Sequence, residues 1–453
     1  MLQALKHLAS AQSEPEVLAA QFADLVPALS ARAAALESAR CLYCYDAPCM
    51  RICPTQIDVP GFIQHIATGN IEGAAVGILQ QNILGASCAR VCPTEILCEQ
   101  ACVRNHASEA APVRIGLLQR YALDNTKFSS HPFARAAASG HTVAVVGAGP
   151  AGLACAHRLA MRGHDVVIFE AHDKPGGLNE YGIARYKLPD AVAQKEIEFL
   201  LGIGGITLRY QQELGKNLHL SDLLRQHAAV FLALGLAASR RLGLCGEDAP
   251  GLLPAVEYIA ALRQAEDLSA LPLPRSCIVI GAGNTAIDMA VQIARLGAEQ
   301  VTLVYRRGAA QMSATLHEQS IARQNQVRIV TWAAPQQVLL DQEGRVCGMR
   351  FERTREVAGL LSGSGESFEL PAQAIFTALG QTLERSALAG TDGLQFSHDK
   401  IAVDAAYRTS LMRVYAGGDC IAAGQDLTVQ AVQHGKLAAD AIDHDLKAQV
   451  NHG

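Results

Sequence analysis

HTVAVVGAGPAGLACAHRLAMRGHDVVIFE, residues 141–170, decides the fold class of this chain. His141–Val146 is an apolar β run, followed by the turn Gly147-Ala148-Gly149-Pro150-Ala151-Gly152. Leu153–Met161 is helical in character, and a second β run, Asp165–Phe169, ends at Glu170. Strand, glycine turn, helix, strand and acid in this order form a dinucleotide-binding fingerprint. Gly147 makes the tight turn, Gly149 lets backbone N–H groups approach a pyrophosphate at the helix N-terminus, and Gly152 lets helix and strand pack closely. Glu170 is placed for ribose hydroxyls. A bare GxGxxG would be weak evidence and could be a turn without a ligand; both strands and the acid make it strong.

The pattern recurs downstream. Ser276–Ile280 is a β run, Gly281-Ala-Gly283-Asn284-Thr285-Ala286 the turn, Ile287–Leu296 the helix and Gln300–Tyr305 a second strand. This strand ends in Arg306-Arg307, not in an acid. Arginines at the ribose position suit a 2′-phosphate, so this unit favours NADP over NAD. The bland alternative is a pair of solvated surface arginines. Two fingerprints imply two dinucleotides, most economically FAD and NAD(P)H. Gly176-Gly177-Leu178 after the first acid fits a bulky flat flavin. Strands ending at Gly235 and at Ala378-Leu379-Gly380 add backbone to the two sites. Val414–Gly418 leads to Asp419, placed for the ribityl chain, and Thr428-Val429 opens a helix whose dipole favours charge on a reduced flavin.

Upstream, Cys41-x2-Cys44-x4-Cys49-x3-Cys53-Pro54 is followed by Cys88-x3-Cys92-Pro93-x4-Cys98-x3-Cys102, eight of the thirteen cysteines. Two short-spaced runs with Cys-Pro are the pattern of a pair of [4Fe–4S] clusters. A disulfide framework belongs to small secreted domains. Structural zinc favours paired CxxC, and only Cys41/Cys44 is such a pair. Between the runs, Val59–Ile83 reads as two short helices with a break near Gly69-Asn70, and Pro112–Leu123, carrying Gln119, reads as another.

The 453 residues predict two or three domains: a helical iron–sulfur domain over 1–136, an FAD domain over 137–255 plus 386–453, and an NAD(P)H domain over 256–385. The fold class is thus α/β, with an N-terminal α-helical two-[4Fe–4S] domain followed by two Rossmann-like dinucleotide-binding domains. A net charge of −5 gives no reason to expect nucleic acid or a membrane surface. The first thirty residues lack the apolar core of a signal peptide, and thirteen cysteines without export imply the cytoplasm.

The glycine turns, Glu170, Thr377–Gly380 and Gly417–Asp419 resemble the two-dinucleotide flavoprotein reductases. Together with Arg40–Pro54, Gly73-Ala-Ala, Asn82–Thr94 and Ile115–Gln119 they resemble, nearly end to end, the flavin/iron–sulfur (PreT-type) subunits of bacterial dihydropyrimidine dehydrogenase. The glutamate synthase small subunit is similar too, less closely. The resemblance assigns one cluster to Cys41, Cys44, Cys49 and Cys102. It assigns the other to Cys53, Cys92, Cys98 and the amide of Gln119, with Cys88 a bystander that spacing alone would have chosen. Lys187 stands near the flavin where the family commonly has arginine. Ser313 stands where a further basic residue can bind phosphate, which weakens the case for NADP.

The expected chemistry is a relay from NAD(P)H over Gly281–Thr285 to FAD and out through the clusters, without a protein acid–base dyad. No CxxC follows either fingerprint, which disfavours disulfide reduction. The resemblance implies a hetero-oligomer, because pyrimidine reduction occurs there on FMN in a (β/α)8 domain of about 250 residues that this length does not hold. The expected partner is the FMN/[4Fe–4S]-containing catalytic subunit. The alternatives are a glutamate synthase partnership or a redox sensor or scaffold that passes no electrons on.

Overall fold

The computed structural model describes residues 2–11, 14–106, 111–189 and 191–450. The chain forms two compact units. One comprises residues 26–180, 190–237 and 383–453; the other comprises 1–25, 181–189 and 238–382. Residues 1–25, which run toward the first cysteine in the sequence, thus belong with the second fingerprint.

In the first unit the cysteine segment is helical. Asp58 caps the helix Val59–Ala67 by accepting from the Gly61 amide (3.0 Å), and Gly69, at φ +78°, turns the chain out of it. Asn70 then caps Ile71–Gln81 through the Gly73 amide (2.9 Å), so the expected break falls at Gly69-Asn70. Phe62, Ile63, Ile66, Ala74 and Ile78 point inward at helical spacing against Ile115, Leu118 and Ala122 of the helix Ile115–Asp124. Phe62, Leu118 and the isoleucines each contribute about 1.5–3 kcal/mol by leaving water.

The same unit holds a five-stranded parallel sheet in the spatial order Val414–Ala416, Ala229–Leu232, Thr142–Val146, Asp165–Phe169, Ile206–Arg209. Its central strand is buried along nearly its whole length, as a strand covered on both faces must be. The helix Pro150–Met161 lies between this sheet and the last helix, Thr428–Val450. The approach is close enough that a Cβ on Gly435 would stand 2.1 Å from the Ala151 carbonyl oxygen. Strand order reverses between Thr142–Val146 and Ala229–Leu232, which opens a crevice at the carboxyl edge.

The second unit repeats the arrangement with Leu252–Pro254, Ala374–Ala378, Ser276–Gly281, Gln300–Val304 and Arg328–Val330, all parallel. An antiparallel sheet of Ala333–Leu340, Val346–Val357 and Leu360–Pro371 lies in the chain between Arg328–Val330 and Ala374–Ala378. No helix among the described residues is long and apolar enough to cross a membrane.

Candidate functional site

Four strand ends meet at the carboxyl edge of the first sheet. Gly147, at φ +103°, follows the central strand, and a Cβ there would lie 2.3 Å from the Ala233 carbonyl oxygen. Gly149 caps the helix that Pro150 opens, so the first-turn amides face outward as a ready anion cradle. Gly176 and Gly177, both at positive φ, bring their loop onto this turn: a Cβ on Gly177 would stand 2.8 Å from the Gly149 Cα. Leu178 is exposed just beyond them. Asn179 is joined to Thr428 through its Oδ1 (3.0 Å), which fixes the start of the last helix, with Val429 buried behind it. Gly418 lies against Ala151 and donates its amide to His434 Nδ1 (3.2 Å), a contact the sequence did not disclose. Gly235, at φ +60°, has open space around it.

Two acids line this edge in different states. Glu170 is buried; its Oε2 accepts from the Ala148 amide and its Oε1 from the amide and ring of His172, all at 2.8 Å. It therefore ties the glycine turn to the end of its strand, and in return the carboxylate holds the His172 pKa up. Asp419 has no such donor among the described residues. Burial, reinforced by Asp426 and opposed by Lys400, pushes its pKa up to about 6. A half-buried carboxylate short of donors fits the hydroxyls of an FAD ribityl chain.

The second edge carries Gly281 (φ +151°), Gly283, Asn284 and Thr285 at the start of the helix Asn284–Leu296. Ala378 of the neighbouring strand sets Gly281's backbone distance, since a Cβ on Gly281 would lie 2.3 Å from its carbonyl oxygen; Leu379 and Gly380 follow at the strand end. Arg306 and Arg307 are exposed, and among the described residues neither guanidinium has a partner. Their backbone is held from behind by residues that sequence reading missed. The Trp332 amide donates to the Arg307 carbonyl (3.0 Å) and the Thr354 hydroxyl to the Arg306 carbonyl (2.6 Å). Ser313 sits over the turn, its hydroxyl 3.4 Å from the Ala282 carbonyl oxygen. Lys187, expected near the flavin, is placed by its ion pairs. Its ammonium is held by Asp288 and Glu318, each at 2.6 Å, in a buried triad of the second unit, so two of its three donors are taken by carboxylates.

Cys41, Cys44, Cys49 and Cys102 line one small cavity, walled by Val59, Ile63, Val113 and Ile115. Burial, with Cys102 and Cys41 close by, pushes the Cys49 thiol up to about 11. Burial and the neighbouring charges of Glu99 and Cys53 push Cys98 up further, and Cys92 is raised by Cys88, burial, Cys98 and Cys53. Thiols crowded in this way ionise together only when a metal centre takes them as ligands. Among the described residues no three His, Cys, Asp or Glu side chains converge on a single-ion site; a four-iron cage spaces its sulfurs more widely than one ion does. Gln119 is buried and its Nε2 donates to the Gly85 carbonyl (2.8 Å), which leaves its Oε1 for another partner.

Glu196 caps the short helix Gly85–Val91 that leads into Cys92, accepting from the Ala86 amide (2.6 Å) and the Ser87 hydroxyl (2.5 Å). Burial pushes its pKa up from 4.5 to about 7. A raised carboxyl favours the protonated form in the fold, so its contribution is full below about pH 4.5 and is lost as pH rises through 7. Glu196→Gln is therefore expected to flatten the loss of Tm between pH 5 and 8 that the parent shows, a difference of up to about 3 kcal/mol. Parallel Tm-versus-pH curves for the two proteins would rule out this role for the buried carboxyl.

Residues 141–435 match the family model described as pyridine nucleotide-disulphide oxidoreductase. The chain belongs to this family. Residues 18–130 match a second model, dihydropyrimidine dehydrogenase domain II, 4Fe-4S cluster. The oxidoreductase is 35% identical over 426 residues to the NAD-dependent dihydropyrimidine dehydrogenase subunit PreT of Escherichia coli K12, covering 94% of this chain and 97% of that one. It is 32% identical to the glutamate synthase [NADPH] small chain of the same organism, covering 93% of each. Among solved structures, Mycobacterium tuberculosis FprA in complex with NADPH aligns over 69% of this chain and 86% of its own, with a TM-score of 0.57 at 18% identity, a likeness of fold. The oxidoreductase is accordingly a flavin and iron–sulfur enzyme with FAD- and NAD(P)-binding domains and a 4Fe-4S domain, related end to end to PreT-type subunits.

Proposed function

We propose that the chain is the electron-input subunit of an NAD(P)H-dependent dihydropyrimidine dehydrogenase, working with a partner subunit that carries FMN and iron–sulfur clusters and reduces uracil or thymine. The observation that carries this reading is the four-cysteine cavity in the same compact unit as the first glycine turn, in a chain that aligns with PreT over nearly its whole length. Bound FAD supplies the conversion of a two-electron hydride donor into single electrons. The chain's own residues bind and orient: the first-turn amides of the helix that Pro150 opens hold pyrophosphate, Asp419 accepts from the ribityl chain, and the helix from Thr428 stabilises negative charge on the flavin. Two clusters are held on this reading, one at Cys41, Cys44, Cys49 and Cys102, the other at Cys53, Cys92, Cys98 and Gln119. The glutamate synthase relative supports the second reading, a partner that makes glutamate.

Co-purification with the native partner, then assay with uracil against 2-oxoglutarate plus glutamine, tests the choice. Turnover only with the latter pair overturns the pyrimidine reading. Failure to oxidise NAD(P)H even with an artificial acceptor leaves a sensor or scaffold.

The free guanidinia of Arg306 and Arg307 support NADPH, although the PreT relative is named NAD-dependent. Arg306→Ala is expected to raise KM for NADPH about tenfold, the worth of one charge-assisted hydrogen bond, and that for NADH less than about twofold. Equal changes for both coenzymes would assign the arginines to solvent.

A further inference from the structure

Lys436 lies two turns into the helix Thr428–Val450, about 12 Å along its axis from Thr428. Its Nζ donates to the Thr55 carbonyl (3.1 Å), the Gln81 carbonyl (3.1 Å) and the Gln81 side-chain oxygen (3.0 Å). All three donors thus end on neutral oxygens, and among the described residues no carboxylate pairs with the ammonium. Half-burying an unpaired cation is costly, and such a charge persists where an anion compensates it. Asp440, one turn further on, also acts on the charge but is engaged by Arg158 and Arg162, so the anion left to compensate it is the cysteine loop. Thr55 is two residues past Cys53, and its hydroxyl lies 3.4 Å from the Cys53 sulfur. Cys53, Thr55, Gln81 and Lys436 all belong to one compact unit. A thiolate-ligated cluster carries net negative charge, and its potential follows the charges and hydrogen bonds around it.

We propose that Lys436 is a positioning residue that joins the flavin-side helix to the Cys53 loop and whose positive charge raises the reduction potential of the cluster held there. This rests on the reading that Cys53 is a cluster ligand. The electron that cluster takes up originates in NAD(P)H, the hydride donor of the proposed reaction.

The test is an EPR-monitored redox titration of anaerobically prepared full-length protein and its Lys436→Gln and Lys436→Arg variants. Glutamine keeps donors for the carbonyls and removes the charge; arginine keeps the charge. The expected result for Lys436→Gln is full iron, sulfide and flavin, with the reduced-to-oxidised ratio of one cluster at least about tenfold lower at fixed potential, the effect of one charge within about 12 Å at an effective dielectric near 20. The other cluster should be unmoved and Lys436→Arg should match the parent. Unchanged potentials in Lys436→Gln overturn the proposal and make the lysine a cap for the Gln81 helix end. Loss of one cluster in both variants also overturns it, as a purely packing role; loss in Lys436→Gln alone supports the need for charge. Absence of iron and sulfide from the parent protein would instead remove the reading beneath it, a result distinct from unmoved potentials.

Discussion

Gly152→Ala is expected to strip the flavin absorbance and leave only the brown of the iron–sulfur clusters, with FAD affinity lowered about 10- to 100-fold, while pyridine nucleotide still binds. A Cβ at Gly152 would stand 1.9 Å from the Gly147 carbonyl oxygen and 3.1 Å from a Val145 methyl. The atom in the way is backbone, so relief requires opening the turn that the pyrophosphate sits on. Overpacking of this kind costs about 1–3 kcal/mol, which sets the expected fold-change. The second turn shows why the effect is local. Ala286 occupies the equivalent position there, fully buried, and the turn accommodates its methyl with Gly281 at φ +151° where Gly147 has +103°. Ala286→Gly should therefore leave both nucleotides bound. Trp332, the single tryptophan, stands behind Arg307 and provides a fluorescence signal for NAD(P)H in the flavin-poor variant. Thermal stability should fall with the flavin, since a ligand present at a hundredfold excess over Kd contributes about 2.7 kcal/mol. Full flavin content in Gly152→Ala would move FAD away from the first turn.

What the sequence discloses of this molecule is what short stretches determine by themselves. The glycine spacings at Gly147–Gly152 and Gly281–Ala286 demand their turns, and the flanking apolar runs can only be buried parallel strands. The cap at Asn70 and the left-handed Gly69 are equally local. The antiparallel sheet over residues 333–371 escaped because Leu360–Pro371 is mostly exposed and rich in Ser, Gly and Glu, with no apolar alternation to mark it. Long-range partners escaped for a different reason. Glu196 and Ser87 are 109 positions apart and Lys436 and Thr55 381 apart, so neither acid nor lysine carries a signal in its own neighbourhood. Lys187 is a third such case: its two carboxylate partners, Asp288 and Glu318, stand 101 and 131 positions away and leave no mark in its own neighbourhood. The cysteines lie between these cases: their spacing announces metal, but which sulfur joins which set is a property of the folded chain.

Cys102→Ser is expected to halve the iron and acid-labile sulfide of anaerobically prepared protein, from about eight to about four of each per chain. Cys102 comes from the far end of the second cysteine run, yet it lines the cavity of Cys41, Cys44 and Cys49. A serine hydroxyl there is a poor ligand for iron and leaves Cys41, Cys44 and Cys49 with no fourth partner. Oxidation of NAD(P)H by an artificial acceptor that draws directly on the flavin should persist, whereas transfer to the partner subunit should fall below detection. The companion variants separate the two sets. Gln119→Ala should alter one EPR signal, because the Gly85 carbonyl fixes the amide with its oxygen left over. Cys88→Ala should keep all the iron. The result that counts against this arrangement is the reverse: unchanged iron in Gln119→Ala together with a loss of about half in Cys88→Ala. Cys88 is buried one helical turn before Cys92 and beside its thiol, near enough to replace the amide as the eighth ligand. The geometry allows either ligand at that corner, and the iron count of the two variants discriminates between them because only removal of the true ligand releases the cluster.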